Sequence, residues 1–269
     1  NLRIDAVIHF AGLKNIVESY QKPLKYWEFN VCSSINLFQV LQRYNCNTIV
    51  FSSSASIYSA DQNPYSLRED SELAPKSPYG NTKLTIEKIL YSQFKFNKNE
   101  QRIANLRYFN PAGAHESGLI GDNSSGITSN LFPLLNRVAL GLDRNLKIFG
   151  KDWITEDGTC VRDFIHVNDL AEAHVSCLDY LLQSDPLCIN LNLGSGYGTS
   201  IKNLVQIYEK VNNCEISCKY ENRRIGDTAV LVADISKALS ILNWRPQRNL
   251  EDICKDAYNF ELLRLNSQY

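Results

Sequence analysis

Over its first 110 residues the chain alternates short apolar runs with longer segments of helical period, and this rhythm constrains the fold more than any single motif. Residues 6–10, 48–52 and 103–108 read as strands, while residues 23–44 and 78–96, each opening on a proline, read as helices. Strand, helix, strand in that order predicts βαβ units with right-handed crossovers, hence an α/β fold around a parallel sheet. The run Thr48-Ile49-Val50-Phe51 is expected to be buried on both faces, as central parallel strands are. Beyond Asn110 the pattern changes. A loop rich in Gly, Asn and Ser over 118–125 precedes a helix over 131–140, a short strand over 146–149 and shorter mixed elements. Residues 1–110 and 111–269 are therefore expected to form two domains, the second a smaller α+β unit.

A hydrophobic content of 44% over 269 residues is enough to bury a large core. The net charge of −1 argues against nucleic-acid or anionic-membrane partners, both of which need a basic surface. No apolar run approaches the ~20 residues that span a bilayer and no signal peptide is visible, so a cytoplasmic location is expected. The 8 cysteines are scattered, mostly among apolar residues, and read as free thiols. Cys214 and Cys218 are the one close pair, with no second pair or histidine nearby, and no metal is expected. His9, His115, His166 and His174 show no ligand spacing and are assigned packing or hydrogen-bonding roles.

Chemistry gathers around Ser52-Ser53-Ser54, which closes the second strand, and Tyr79-Gly80-Asn81-Thr82-Lys83. Open α/β sheets place ligands at the carboxyl ends of their strands, where these serines fall. Tyr79 and Lys83 stand four apart on the helix that follows Ser77-Pro78, so both project from one face. A hydroxyl, a phenol and an amine in one place suit redox chemistry on an alcohol, with Tyr79 as the base. A nearby ammonium is expected to lower the phenol pKa toward neutrality.

Longer stretches extend the pattern: Asp5-Ala6-Val7-Ile8-His9-Phe10-Ala11-Gly12-Leu13-Lys14, Phe51-Ser52-Ser53-Ser54-Ala55, Ser77-Pro78-Tyr79-Gly80 with Lys83, Leu106-Arg107-Tyr108-Phe109-Asn110-Pro111-Ala112-Gly113-Ala114-His115, and residues 155–167. Together, in this order, they resemble the UDP-glucose (UDP-galactose) 4-epimerases of the extended short-chain dehydrogenase/reductase superfamily. The resemblance implies a Rossmann-like doubly wound parallel sheet, with residues 167–193 rejoining it, and a smaller domain that binds the UDP-sugar. It also implies NAD-dependent inversion of C4 of a UDP-hexose through a 4-keto sugar, with Ser54, Tyr79 and Lys83 catalytic. Phe10, Ala11, Gly12, Leu13, Lys14, Asn30, Ser54, Tyr79, Lys83 and Phe109 would contact the cofactor. Lys14, Ser54, Tyr79, Asn110, Asn130, Lys147, Ile148, Phe149, Arg162, Arg224, Asp227 and Leu231 would contact the substrate. Planar guanidinium groups suit a diphosphate, and Asp227, in Arg223-Arg224-Ile225-Gly226-Asp227, suits a ribose hydroxyl. At the place where relatives carry Asn-Asn-Val the chain reads Phe29-Asn30-Val31, leaving Asn30 to supply the polar contact.

Two features set alternatives beside this reading. The family's opening strand, glycine-rich turn and helix do not precede Asp5, so the chain resembles an amino-terminally truncated member lacking the first βαβ units. A truncated or split chain unable to hold NAD is thus one alternative. A nucleotide-sugar dehydratase or reductase is the other, disfavoured by Ser54-Ala55-Ser56 where dehydratases carry acids. Gly194-Ser195-Gly196-Tyr197-Gly198 reads better as a strand-to-helix turn than as a phosphate loop. The helices opening at Pro23 and Pro78 carry more apolar residues than one sheet face needs, and the resemblance implies a homodimer through a four-helix bundle.

Overall fold

The structure, a computed structural model, describes residues 3–59, 66–97, 100–123, 130–224 and 226–267. Its strands are β1 (Ala6–His9), β2 (Thr48–Ser54), β3 (Arg102–Tyr108), β4 (Asn110–Ala112), β5 (Leu146–Phe149), β6 (Val161–His166), β7 (Leu187–Leu193), β8 (Gly198–Ser200), β9 (Cys218–Glu221) and β10 (Val230–Leu231). Its helices are α1 (Ile16–Gln21), α2 (Pro23–Tyr26), α3 (Ser33–Arg43), α4 (Pro78–Phe96), α5 (Leu131–Ala139), α6 (Val167–Gln183), α7 (Ile201–Asn212), α8 (Ser236–Leu242) and α9 (Leu250–Asn266). They divide into two compact units.

The first unit comprises Asn1–Phe109, Glu172–Leu193 and Asp234–Trp244. Its sheet has the order β1-β2-β3-β7 and every pairing is parallel, giving the expected Rossmann-like α/β architecture. β2 is buried from Thr48 to Ser53, so both faces are covered. It runs two residues past the expected end because Ser53 and Ser54 pair with Arg107 and Tyr108. Ile49 and Phe51 of β2 join Phe38, Leu41, Ile86, Leu90 and Ile103 in one core cluster. α4 starts where Ser77 accepts a hydrogen bond from Gly80 N at 3.0 Å and Pro78 fills the first turn.

The helix expected over residues 23–44 is not one regular α-helix. Trp27–Cys32 forms a π-helical segment between α2 and α3. Its wider turn is occupied by Asn30, which is 1% exposed and bonds inward to Leu13 and Thr82.

The second unit comprises Asn110–Ala171, Gly194–Ala233 and Arg245–Tyr269. β6 pairs in parallel with β4 and β10 and antiparallel with β8, and β5 pairs in parallel with β9. Phe132, Leu135, Phe164, Leu204, Tyr208 and Ile253 pack α5, α7 and α9 around it. Ser195 N and Gly196 N donate to the buried Asp163 carboxylate at 2.6 and 3.0 Å, and Ser200 caps α7. The glycine cluster is therefore a turn ordered by an aspartate. Residues 234–244, which a division at residue 110 assigns to the second domain, pack with the first unit instead.

Among the described residues no helix is long and apolar enough to cross a membrane. The 8 cysteines are unpaired.

Candidate active site

Two residue groups carry chemistry, one in each unit. In the first unit Tyr79 and Lys83 rise from the opening turns of α4 toward the carboxyl end of β2. The Tyr79 hydroxyl lies beside Ser54, which favours its ionised form. Ser54 Oγ also accepts from Ser56 N at 3.2 Å and Ser56 Oγ at 2.9 Å, so it caps the short turn Ala55–Ile57 as well. Lys83 Nζ donates to the Ser52 carbonyl at 2.6 Å and lies 4.9 Å from the Phe51 ring centre and 5.9 Å from that of Tyr79.

The electrostatics differ from the sequence expectation in one respect. Burial pushes the Tyr79 phenol above its ordinary value, and Ser54 opposes this. Lys83 does not overturn the shift: its Nζ stands 5.9 Å from the Tyr79 ring centre and bonds to the Ser52 carbonyl, and burial lowers its own pKa to about 8. Taking two ionisable groups out of water favours both neutral forms.

Phe10, Ala11, Gly12 and Lys14 lie exposed in the loop after β1, with Leu13 half-buried. Asn30 fastens this loop: Leu13 N donates to its Oδ1 at 2.7 Å and its Nδ2 donates to Leu13 O at 3.1 Å. Nδ2 also reaches Thr82 Oγ1 at 3.0 Å. Its amide is thus spent on protein groups, where the sequence reading had it facing the cofactor. Phe109 is buried against Tyr58, ring centres 6.3 Å apart.

Sequence reasoning missed a buried network in the same unit. Arg107, 1% exposed, donates through Nε and NH2 to Glu87 at 3.1 and 2.8 Å and through NH1 to the Tyr58 hydroxyl at 3.0 Å. Ser53 Oγ donates to Glu87 Oε1 at 2.5 Å, and Tyr58 donates to Asn192 at 2.6 Å. An arginine directly after the strand residues Ile103-Ala104-Asn105-Leu106 was the available signal, since a charge in a buried strand requires a buried partner.

In the second unit Leu231 stands in register with Arg162 across the β10–β6 pairing. Arg162 NH1 donates to Thr228 O at 2.9 Å, and its NH2 is 3.9 Å from Asp227 Oδ1. Arg224 Nε donates to Asp227 Oδ2 at 3.1 Å, and its guanidinium lies 4.4 Å from the Phe149 ring centre. The structure therefore gathers Arg162, Arg224, Asp227, Phe149 and Leu231, with Asp227 held by both arginines. Ile225, between them in sequence, lies outside the described residues. On β5 Lys147 is exposed and Ile148 is buried in the core. Asn130, at the head of α5, donates to Asp122 at 2.7 Å. Asn110, on β4, keeps a buried side-chain oxygen with no hydrogen-bond partner, a group that favours an incoming donor.

A family model described as the NAD dependent epimerase/dehydratase family matches residues 1–191. The chain belongs to this family. The UDP-glucose 4-epimerase 4 of Oryza sativa subsp. japonica is 43% identical over 258 residues, covering 96% of this chain and 69% of that protein. The crystal structure of a UDP-glucose-4-epimerase from Stenotrophomonas maltophila, with bound NAD and formylated UDP-arabinopyranose, superimposes with a TM-score of 0.94 at 41% identity, covering 98% of this chain and 78% of that one. The Bifidobacterium longum UDP-glucose 4-epimerase, in complex with NAD+ and UDP, gives 0.93 at 38% identity over the same shares. The epimerase/dehydratase membership accounts for the parallel sheet.

Proposed function

We propose that the protein interconverts UDP-glucose and UDP-galactose by inverting C4 of the sugar. The observation that carries this reading is the Tyr79 hydroxyl beside Ser54, with the Lys83 amine close to it at the end of a parallel strand. Tyr79 accepts the proton of the sugar's 4-hydroxyl and later returns it to the opposite epimer, so proton and sugar oxidation state balance over a turnover. Ser54 hydrogen-bonds the 4-oxygen and helps the proton transfer. Lys83, charged below pH about 8, favours the phenolate and offers donors to a ribose.

The residues present fit NAD. The loop at residues 10–14 presents Ala11 and Gly12, whose small side chains leave backbone donors accessible, and Asn30 holds its shape. Bound there, NAD supplies a reversible acceptor for the C4 hydride. Phe10, Ala11, Gly12, Leu13, Lys14 and Phe109 line that place, with Asn30 supporting it from behind.

Arg162, Arg224 and Asp227, with Asn110, Asn130 and the strand Lys147-Ile148-Phe149, are assigned to the UDP-sugar. Asp227 occupies both arginines in this structure, and a diphosphate would exchange one carboxylate for a stronger bidentate anion. We further assign a homodimer. Leu24, Phe29, Val40 and Tyr44 near α2 and α3, and Tyr91 and Phe96 of α4, are between 45% and 87% exposed, a large apolar surface for helices.

A coupled assay tests the activity: the full protein should convert UDP-galactose to UDP-glucose without net consumption of added NAD. Tyr79→Phe should lower kcat by about 10²- to 10⁴-fold with the dissociation constant for UDP-sugar nearly unchanged. A Tyr79→Phe variant at the parental rate would remove the assigned base.

A further inference from the structure

Tyr79, Lys83 and Glu87 follow one another at four-residue intervals on α4 and share one face. Each meets a different serine at the end of β2. Tyr79 lies beside the Ser54 hydroxyl, Lys83 Nζ donates to the Ser52 carbonyl at 2.6 Å, and Glu87 Oε1 receives the Ser53 hydroxyl at 2.5 Å. The first two contacts involve groups with a chemical task. The third does not.

Glu87 is also the best anchored of the three. It is 5% exposed, and Arg107 grips both carboxylate oxygens from Nε and NH2. Arg107 is fixed in turn by the Tyr58 hydroxyl at 3.0 Å and the Glu69 carbonyl at 2.9 Å. Tyr58 continues to Asn192, on β7. A chain of buried hydrogen bonds therefore runs from β7 through β3 to α4 and ends on Ser53, the neighbour of Ser54.

We propose that Glu87 and Ser53 are positioning residues that set α4 in register with the end of β2 and so keep Tyr79 opposite Ser54. Two contacts one turn apart leave a helix free to rock about them. A third, eight residues from Tyr79, lies roughly 12 Å along the axis and removes that freedom. Proton transfer depends on the distance so fixed, and a displacement of about 1 Å can cost ~10²-fold in rate. Ser53 also takes no hydrogen bond away from the ion pair, because Glu87 keeps both its bonds to Arg107 without it.

Ser53→Ala makes the test clean for that reason: one oxygen is lost and the buried charge pair survives. This deepens the epimerase reading and rests on it for the turnover measurement. For UDP-galactose, kcat should fall about tenfold with KM within about twofold, and the primary deuterium isotope effect of C4-labelled substrate should rise. Independently of any sugar, the Tyr79 phenol should titrate at higher pH in Ser53→Ala. This is read as phenolate absorbance by difference against Tyr79→Phe, and it is expected because Ser54 favours the ionised form. Glu87→Asp withdraws the carboxylate by one methylene and should behave alike, with the double variant no worse than Glu87→Asp alone. An unshifted Tyr79 titration in Ser53→Ala overturns the proposal whatever the rate, and so does a parental kcat. Losses that multiply in the double variant overturn it too. A parental protein that leaves UDP-galactose untouched would remove the proposed activity, and the titration would then decide the positioning role alone.

Discussion

Replacing His9 with glutamine should take away a measurable part of the protein's acid sensitivity. His9 is 5% exposed at the end of β1, with Phe38 and Phe51 ring centres 5.9 and 5.7 Å away. Ser34 Oγ donates to the Asn30 carbonyl at 2.5 Å, so it accepts from His9 Nε2 at 2.8 Å. Burial first, and the charge of Lys83 second, lower the His9 pKa from 6.5 to about 4. The unfolded chain therefore binds the extra proton. Stability is fully present above the unfolded value, is lost as pH falls toward the folded one, and is level below it. The full loss amounts to about 3 kcal/mol, of which about 2 kcal/mol is gone near pH 5. Lys83 adds no slope there, because its lowered pKa of about 8 lies above the window. Other groups titrate in parent and variant alike, so the difference isolates His9. Glutamine keeps a donor for Ser34 and does not ionise. Urea unfolding would be followed through Trp27 and Trp244, both in the same unit, with Trp153 replaced by Phe. Between about pH 7.5 and about pH 5 the parent should lose roughly 2 kcal/mol more than His9→Gln. Equal losses would refute the assignment of that desolvation to His9.

Gly80→Ala would place a Cβ 2.5 Å from Ser56 O and 2.9 Å from Pro75 Cβ, so it should destabilise by about 1–3 kcal/mol in thermal melts although alanine is the better helix former. An unchanged or higher melting temperature would refute it. Leu231→Tyr should selectively lower kcat/KM for UDP-N-acetylglucosamine, which the parent should accept beside UDP-glucose. No parental activity on the N-acetyl sugar, or equal losses on both, would exclude Leu231 as the gate. Phe29→Asp with Tyr91→Asp should convert a dimer to monomers in sedimentation velocity, and a parental profile would place the interface elsewhere.

The legible parts of this fold are those with local causes. Ser77 and Pro78 announce the start of α4 because a cap and a fixed φ act within one turn, and the observed helix spans the expected residues 78–96. β5 likewise keeps its expected bounds of 146–149. The return of β7 to the first sheet came only from resemblance, since strand pairing at long range leaves no local mark. The same limit applies to residues 234–244, which pack with the first unit: Asp234 N bonds to Leu67 O and Lys237 Nζ to Asn190 O, partners far away in sequence. The π-helical turn was hidden because Trp27 to Cys32 has an ordinary helical composition. What sets it apart is the inward bonding of Asn30.

For the site, spacing specified the company that Tyr79 keeps but not the medium. Four residues on one helix face are sufficient to bring Lys83 near, and the charge was expected to dominate. The medium decides otherwise: at 9% exposure the phenolate loses its hydration, and the buried amine is itself pushed toward neutrality, so the free protein holds both groups closer to their neutral forms. A phenol that is protonated at rest acts as a base only in its ionised fraction. Its proton must first leave to solvent, and the neighbour that favours the resulting phenolate is Ser54. The alignment of Ser54 is then part of the acid-base chemistry, and the Ser53 to Glu87 bond gives the sheet a means of holding it.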